Sequence, residues 1–207
     1  LSFFHDDIID QAEVRRNQIT VHEKFNLNNG IISGVHCYAV ALKLITSIGN
    51  LNIIEVISEA VINLCEGECF QMNNRHNFDL NDDDYWDIIE KKTSSLFKAS
   101  CVTAGILSNC NQESLNIFSK FGSTIGDIFQ LVDDYLDIFD KKNKLSKKVL
   151  QDLKTGDISL PILIASQQSK SQSVDSISDY LKVEKNNIAD LIRNEIVNKK
   201  SKAEQLL

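Results

Sequence analysis

The sequence predicts an all-α fold, and three observations support this prediction. The 207 residues include one proline and eight glycines, so few positions favour turns or interrupt a helix. Apolar residues recur at helical spacing over long stretches, and no alternation of apolar and polar residues persists anywhere. Hydrophobic residues make up 43% of the chain and charged residues 25%, which is typical of a globular domain. We therefore predict one helical domain over residues 1–207.

Helical patterns follow one another along the chain. We predict helices over residues 1–16, 31–48, 51–72, 85–107, 112–140 and 159–169. Loops are predicted at 26–30 and, rich in lysine, at 140–148, whereas the polar tail over 173–207 is expected to form two short helices. The three aspartates at 82–84 are interpreted as the charged first turn of a helix rather than as a metal site. Pro161 lies in a first turn, where its missing N–H is tolerated.

Two acidic motifs with the spacing Asp-Asp-x-x-Asp stand out within this pattern. They comprise Asp6, Asp7 and Asp10 near the start of the chain, and Asp133, Asp134 and Asp137 in the fifth helix. On a helix, the first and last aspartates of each motif share one face and are about 6 Å apart along the axis. One such cluster is usually a solvated helix face. Its repetition among bulky apolar residues, where an unpaired carboxylate is costly, indicates binding of Mg²⁺ and of a diphosphate. We expect the two acidic faces to oppose each other across a cavity.

Basic and polar residues accompany the acidic motifs. They are Arg15 and Arg16, Lys92 and Thr93, Gln130, and Lys147 and Lys154. Arginine side chains bind phosphate oxygens bidentately, although two arginines at a helix end also interact with the helix dipole. A lysine in an apolar helix either extends along the surface to water or points into a polar cavity. Gln130 either donates to phosphate or completes a hydrogen bond in the core, and lysines in loops usually face solvent.

Composition restricts the partners and the cellular compartment. The net charge of −7 disfavours nucleic acid, but bound metal ions can invert the local sign for anionic substrates. The five cysteines have no zinc spacing, and their odd number disfavours a disulfide framework. We expect reduced core thiols in an intracellular protein, in the cytoplasm or an organellar matrix. No signal-peptide pattern or uninterrupted run of eighteen apolar residues appears, and any targeting segment is expected upstream of Leu1.

The order of the motifs resembles that of the trans-isoprenyl diphosphate synthases, the polyprenyl diphosphate synthase family. The matching motifs are His5-Asp6-Asp7-x-x-Asp10 with Arg15-Arg16, Gly67-Glu68-x-x-Gln71, Lys92-Thr93, Phe129-Gln130-x-x-Asp133-Asp134-x-x-Asp137, and Asp152-Leu153-x-x-Gly156 with Leu160-Pro161. The resemblance covers essentially the whole chain. Asn17 stands where the family usually has glycine, and the family's helices before the first motif have no counterpart in these residues. The sequence therefore resembles a fragment of such an enzyme or a reduced homologue.

The resemblance implies an isoprenoid synthase fold, an antiparallel helical bundle around a central cavity, here without its N-terminal helices. It implies a Mg²⁺-dependent prenyltransferase of isoprenoid biosynthesis that condenses isopentenyl diphosphate with an allylic diphosphate. Metal binding would fall to the six aspartates Asp6, Asp7, Asp10, Asp133, Asp134 and Asp137, which would hold several Mg²⁺ ions. Asp6, Asp10, Asp133 and Lys92 would be catalytic, and Arg15, Arg16, Lys92, Thr93, Gln130 and Lys147 would bind substrate.

Product length and assembly are further expectations from the resemblance. Residues four and five positions before the first aspartate form the tunnel floor in this family, and here they are Ser2 and Leu1. The small Ser2 favours a long-chain polyprenyl product, with a geranylgeranyl product as the alternative. We expect a homodimer with peripheral membrane contact through its lipid product. A non-catalytic partner subunit, docking through the apolar helices around 31–64, and a terpene cyclase are the competing functions. The six retained aspartates disfavour the partner subunit, whereas the missing upstream basic residues favour it.

Overall fold

The computed structural model describes residues 3–138 and 145–206, apart from the side chains of Lys147 and Lys148. In chain order the elements are α1 (Phe3–Ile9), β1 (Val14–Arg15), β2 (Gln18–Ile19), α2 (Val21–Lys24), α3 (Leu27–Ser47), α4 (Leu51–Asn73), α5 (Asp82–Ile89), one turn of π-helix (Glu90–Ser94), α6 (Ser95–Leu107), α7 (Gln112–Ile138), α8 (Lys147–Thr155), α9 (Leu160–Ser169) and α10 (Val174–Glu204). The all-α prediction is confirmed, with one two-stranded hairpin as an addition.

By its contacts the chain divides into two compact units, Leu1–Val61 and Ile62–Leu207, with the boundary inside α4. In the first unit, α1 packs against α3, where the imidazole Nε2 of His5 lies 3.0 Å from the carbonyl oxygen of Ile31. The predicted single domain over residues 1–207 stays a prediction.

The helix predicted over residues 1–16 is shorter than expected, and Arg15 and Arg16 do not lie on it. At the end of α1, the backbone N–H of Asp10 donates a 2.8 Å hydrogen bond to the carbonyl of Asp6. Gln11 then adopts a φ of 49°, which ends the helix. The antiparallel hairpin β1–β2 follows, and Arg16 and Asn17 form its turn with φ values of 50° and 63°. Asn17 tolerates this left-handed backbone almost as glycine does, which accounts for its place in the motif.

One loop prediction is wrong and a second extends too far along the chain, because local capping favours helix. The predicted loop over 26–30 belongs mostly to α3, since the side chain of Asn26 accepts a hydrogen bond from the backbone N–H of Asn29. Part of the predicted loop over 140–148 lies outside the described residues, but α8 begins at Lys147 behind the capping side chain of Ser146. The interpretation of 82–84 as a first turn is confirmed, because Asn81 caps α5 at Asp82–Asp84.

The second unit has one hydrophobic core around α7, α9 and α10. Its fully buried side chains include Tyr85, Leu131, Ile138, Val149, Leu153, Ile162, Leu163, Ile177, Leu181, Ile188 and Ile192. The tail was predicted as two short helices, but α10 is one helix of 31 residues. Ile177, Leu181, Ile188 and Ile192 form one continuous buried stripe, so tertiary packing sustains a helix whose polar composition suggested interruption.

The cysteine prediction is wrong about burial. Cys37, Cys65 and Cys69 are exposed and Cys101 and Cys110 are half-buried, although all five are free thiols as expected. Within the described residues, one helix, α3, is long and apolar enough to cross a membrane by length and composition. A single helix of this kind is a weak indication, because apolar helices of other proteins meet the same criterion.

Candidate active site

The π-helical turn Glu90–Ser94, here named the Lys–Thr turn, is held between two glycines of the second unit. The backbone N–H of Ser95 donates to the carbonyl of Glu90, five residues earlier, which widens the helix at this point. A Cβ added to Gly67 of α4 would lie 2.9 Å from the backbone nitrogen of Lys92. A Cβ added to Gly126 of α7 would lie 2.5 Å from the Cα of Ser94. Glycine therefore lets both helices approach the backbone of the turn directly.

On one side of the turn, Lys92 is held by two residues of α4. Its ammonium lies 2.7 Å from the carboxylate of Glu68 and 2.9 Å from the amide oxygen of Gln71. Glu68 is buried, whereas about a third of the Lys92 side chain remains exposed (35%). A buried carboxylate thus keeps a partly exposed cation in one orientation, in which it can bind an incoming anion.

On the other side of the turn, Thr93 connects to the second acidic motif. Its hydroxyl donates to the amide oxygen of Gln130 at 3.1 Å, and the Gln130 amide nitrogen donates to Asp134 at 2.9 Å. Asp134 also accepts from the hydroxyl of Tyr85 and from the backbone N–H of Leu160, both at 2.9 Å. Hydrogen bonds therefore join the Lys–Thr turn to α7 and to the start of α9.

The buried carboxylate of Asp134 accepts hydrogen bonds from three parts of the chain. Burial raises its pKa above the usual value, and the hydrogen bonds from Leu160, Gln130 and Tyr85 oppose that shift. Burial, followed by the charge of Asp134, raises the pKa of Tyr85 well above its usual value, so the phenol stays protonated and donates. Asp133 is exposed and Asp137 half-buried, so the outer aspartates of this motif reach solvent while the middle one supports the helix.

The first acidic motif repeats this division within the first unit. Asp7 is buried and accepts a hydrogen bond from the Nε of Arg15, which raises the pKa of that guanidinium. Asp6 is half-buried and Asp10 exposed. The aromatic ring of Phe3 lies 5.5 Å from the guanidinium carbon of Arg15 and 5.8 Å from that of Arg16.

These side chains border a cavity of about 330 Å³ in the first unit. Its lining comprises Phe3, Phe4, Asp7, Arg15, Arg16, Gln18, Ile19, Thr20 and Val21. Both arginines of the first motif therefore reach a space large enough for a small anionic ligand.

The donor set fits Mg²⁺ bound together with a phosphorylated substrate. In the part of the chain that the structure describes, no group of three or more His, Cys, Asp or Glu side chains could hold a metal ion without help. Mg²⁺ usually binds through one or two carboxylates and completes its shell with water and substrate phosphates. An exposed and a half-buried aspartate in each motif supply that number of hard oxygen ligands.

Several predicted site residues lie together, and some lie outside the described part. A hydrogen bond joins Thr93 to Gln130 and continues to Asp134, whereas Lys92, the residue before Thr93, is held by Glu68 and Gln71. Ser2 and the side chain of Lys147 are outside the described residues, and Lys154 is exposed on α8. Sequence reasoning missed Tyr85, because a tyrosine four residues after a helix cap reads as an ordinary core side chain.

Tyr85→Phe is expected to lower the free energy of unfolding by about 1–3 kcal/mol, because it removes a donor from a buried carboxylate. Urea unfolding followed by circular dichroism measures the loss. Tyr180→Phe is the matched control, since the Tyr180 hydroxyl bonds to Gln168 at an exposed position. That change is expected to stay within about 0.5 kcal/mol. Equal losses in both variants would contradict the anchoring of Asp134 by Tyr85.

Comparisons with known proteins give a consistent result. A family model described as polyprenyl synthetase matches residues 1–198. The octaprenyl diphosphate synthase of Escherichia coli (strain K12) is 35% identical over 164 residues, which cover 79% of this chain and 51% of that protein. The heptaprenyl diphosphate synthase component 2 of Bacillus subtilis (strain 168) is 31% identical over 164 residues, with 79% and 47% covered. The chain thus spans about half the length of these curated relatives.

Solved structures with a similar fold include prenyl diphosphate synthases. The crystal structure of a geranylgeranyl pyrophosphate synthase from Lactobacillus brevis superposes with a TM-score of 0.88 and 24% identity, over 98% of this chain and 67% of that chain. The predicted all-α isoprenoid synthase fold is confirmed by this similarity.

Proposed function

The chain belongs to the polyprenyl synthetase family, and from this premise we propose that it acts as a Mg²⁺-dependent prenyltransferase. The reaction is the condensation of isopentenyl diphosphate with an allylic diphosphate to give a polyprenyl diphosphate. The observation that carries the proposal is the hydrogen-bonded chain from Thr93 through Gln130 to Asp134 of the second acidic motif, next to Lys92, which Glu68 and Gln71 hold. It places a cation, hydroxyl and amide donors, and exposed carboxylates on connected elements of one unit.

Four aspartates are proposed as metal ligands. These are Asp6 and Asp10 in the first motif and Asp133 and Asp137 in the second. Bound Mg²⁺ would stabilise the negative charge that develops on the departing diphosphate. Asp7 and Asp134 are proposed to act differently because both carboxylates are buried, Asp7 against Arg15 and Asp134 against Tyr85. They keep their helices in the orientation that presents the outer aspartates.

The remaining site residues are proposed to bind the two diphosphates. Lys92, Thr93 and Gln130 contact the allylic diphosphate, and the ammonium of Lys92 lowers the charge of the leaving group as its C–O bond breaks. Arg15 and Arg16 bind phosphate oxygens next to the cavity of the first unit. Lys147 is proposed as a further substrate ligand. The allylic cation is then attacked by the double bond of isopentenyl diphosphate, and the released diphosphate takes the proton that the new chain loses.

The direct test incubates the protein with an allylic diphosphate, radiolabelled isopentenyl diphosphate and Mg²⁺, with product analysis by chromatography. Elongated prenyl diphosphates support the proposal, and omission of Mg²⁺ should abolish them. A cyclic hydrocarbon would instead identify a terpene cyclase. Activity that requires addition of a second, different prenyl synthase chain would identify a partner subunit.

A long-chain product is proposed, and Ser2→Phe tests it. An aromatic ring in place of the small Ser2 would close the apolar tunnel, so the product should shorten by several isoprene units. Thin-layer chromatography of the dephosphorylated products measures the distribution. Ser171→Phe, at a half-buried position in the second unit, is the control and should leave the distribution unchanged. An unchanged distribution in Ser2→Phe would contradict the assignment of the tunnel floor.

A second copy of the chain is proposed as the partner. Helix α3 exposes apolar side chains along its length, among them Ile32 (66%) and Leu44 (64%). Exposed apolar surface of this kind favours burial against another subunit. The relative from Bacillus subtilis is named a component of its synthase, so a different subunit is the alternative partner. Analytical ultracentrifugation of the purified protein, alone and mixed with a candidate subunit, distinguishes the two.

A further inference from the structure

The Lys–Thr turn has a second support that involves neither of its two functional residues. Ser94, the last residue of the turn, is fully buried, and its hydroxyl donates to one carboxylate oxygen of Asp127 at 2.6 Å. The other carboxylate oxygen of Asp127 accepts from the ammonium of Lys199 at 2.8 Å. Asp127 directly follows Gly126, the glycine that lies against Ser94. A side-chain bond thus reinforces the contact between α7 and the turn.

Lys199 brings the C-terminal helix into this contact. It lies on α10, and its ammonium is 4.0 Å from the centroid of the Trp86 ring on α5. The Lys199 and Asp127 side chains are 16% and 17% exposed, so solvent screens their ion pair less than it screens a surface pair. Loss of one partner leaves the other charge largely shielded from water, which is costly.

The position of this ion pair suggests its role. A π-helical turn is a rare interruption of an α-helix that occurs frequently at functional sites, so the contacts that hold it bear on the site. Lys92 and Thr93 precede Ser94 by two residues and one residue, so their direction depends on the path of the backbone at Ser94. Asp127 and Lys199 act on the turn through the hydroxyl of Ser94.

We propose that Asp127 and Lys199 are positioning residues that fix the Lys–Thr turn, so that α10 sets the affinity of the site for diphosphate. This inference rests on the proposed function, in which Lys92 and Thr93 bind diphosphate. Misplacement of binding groups by about 1 Å can cost up to about 100-fold in rate.

The test uses Lys199→Met, which keeps the long apolar stem over Trp86 and removes the charge. Lys200→Met is the matched control, because Lys200 is exposed and pairs with Glu204 on the surface of the same helix. Hydrogen–deuterium exchange of peptides covering residues 89–98 should accelerate about tenfold in Lys199→Met, as expected for easier local opening. Calorimetric titration with inorganic diphosphate and Mg²⁺ should show an affinity about tenfold lower. Lys199→Arg should restore both values, and Lys200→Met should match the wild type.

Each measurement can overturn the inference separately. Unchanged exchange in Lys199→Met would show that the ion pair does not hold the turn. Faster exchange with unchanged diphosphate affinity would show that the ion pair supports the fold without positioning the site. Wild-type protein that binds no diphosphate and elongates no substrate would overturn the proposed function and the positioning role together, whatever the exchange rates are.

Discussion

Asp133→Asn is expected to reduce the rate of prenyl transfer by at least about 100-fold, while the helical fold survives. Asparagine keeps one carbonyl oxygen but loses the negative charge with which a carboxylate binds Mg²⁺. Asp133 is exposed, so the substitution creates neither a cavity nor a buried unpaired group. It also relieves repulsion from Asp137 one turn later. Steady-state rates at substrate and Mg²⁺ concentrations that saturate the wild type measure the effect, and circular dichroism verifies the fold.

Asp83→Asn is the matched control for this experiment. Asp83 is an exposed aspartate in the first turn of α5 and makes no proposed contact with substrate. Its replacement weakens a favourable interaction with the helix dipole by about 0.3–1 kcal/mol and should leave the rate unchanged. Normal turnover in Asp133→Asn would contradict its assignment as a metal ligand. A rate restored by raising the Mg²⁺ concentration would place the defect in metal binding rather than in the fold.

Ordered motifs predicted the class of the fold and indicated the candidate site, because they depend on local spacing. Asp133 and Asp137 are separated by one helical turn wherever α7 lies, so their shared face could be read from the sequence. Lys92 and Thr93 were singled out because a charged residue in an apolar helix requires an explanation. The position of the arginine pair was wrong, since two left-handed residues, Arg16 and Asn17, form a hairpin turn where the periodicity indicated helix.

The roles of the middle aspartates could not be predicted from spacing, because they depend on tertiary contacts. Asp134 accepts from Tyr85, 49 residues earlier, and from the amide of Leu160, 26 residues later. No local pattern connects those positions. The length of α10 also depends on tertiary contacts. Its polar sequence suggests two short helices, and the buried stripe that makes it one helix is visible only in the packed core. Charge repetition therefore indicated the candidate site, and packing separated its buried middle carboxylates from outer ones that reach solvent.

Gly126→Ala is expected to lower the affinity for diphosphate at least about tenfold, because close packing at the Lys–Thr turn leaves no room for a methyl group. The added Cβ would lie 2.5 Å from the Cα of Ser94, which is backbone and cannot rotate away. The turn and α7 must separate, and the 3.1 Å hydrogen bond between Thr93 and Gln130 would lengthen or break. Calorimetric titration with inorganic diphosphate and Mg²⁺ measures the change in affinity.

Gly122→Ala provides a control of the same chemistry on the same helix. Gly122 lies one turn before Gly126 on α7. Its added Cβ would lie 2.7 Å from the Cα of Lys98, which belongs to α6 and not to the Lys–Thr turn. Both alanines gain about 1 kcal/mol of helix propensity, and both lose about 1–3 kcal/mol through overpacking, so their unfolding free energies should be similar. The affinity for diphosphate should differ between the two variants, because only Gly126→Ala is expected to lower it. Equal losses would mean that any widening between α6 and α7 impairs the site, and that contact at Ser94 has no special part in orienting Lys92 and Thr93.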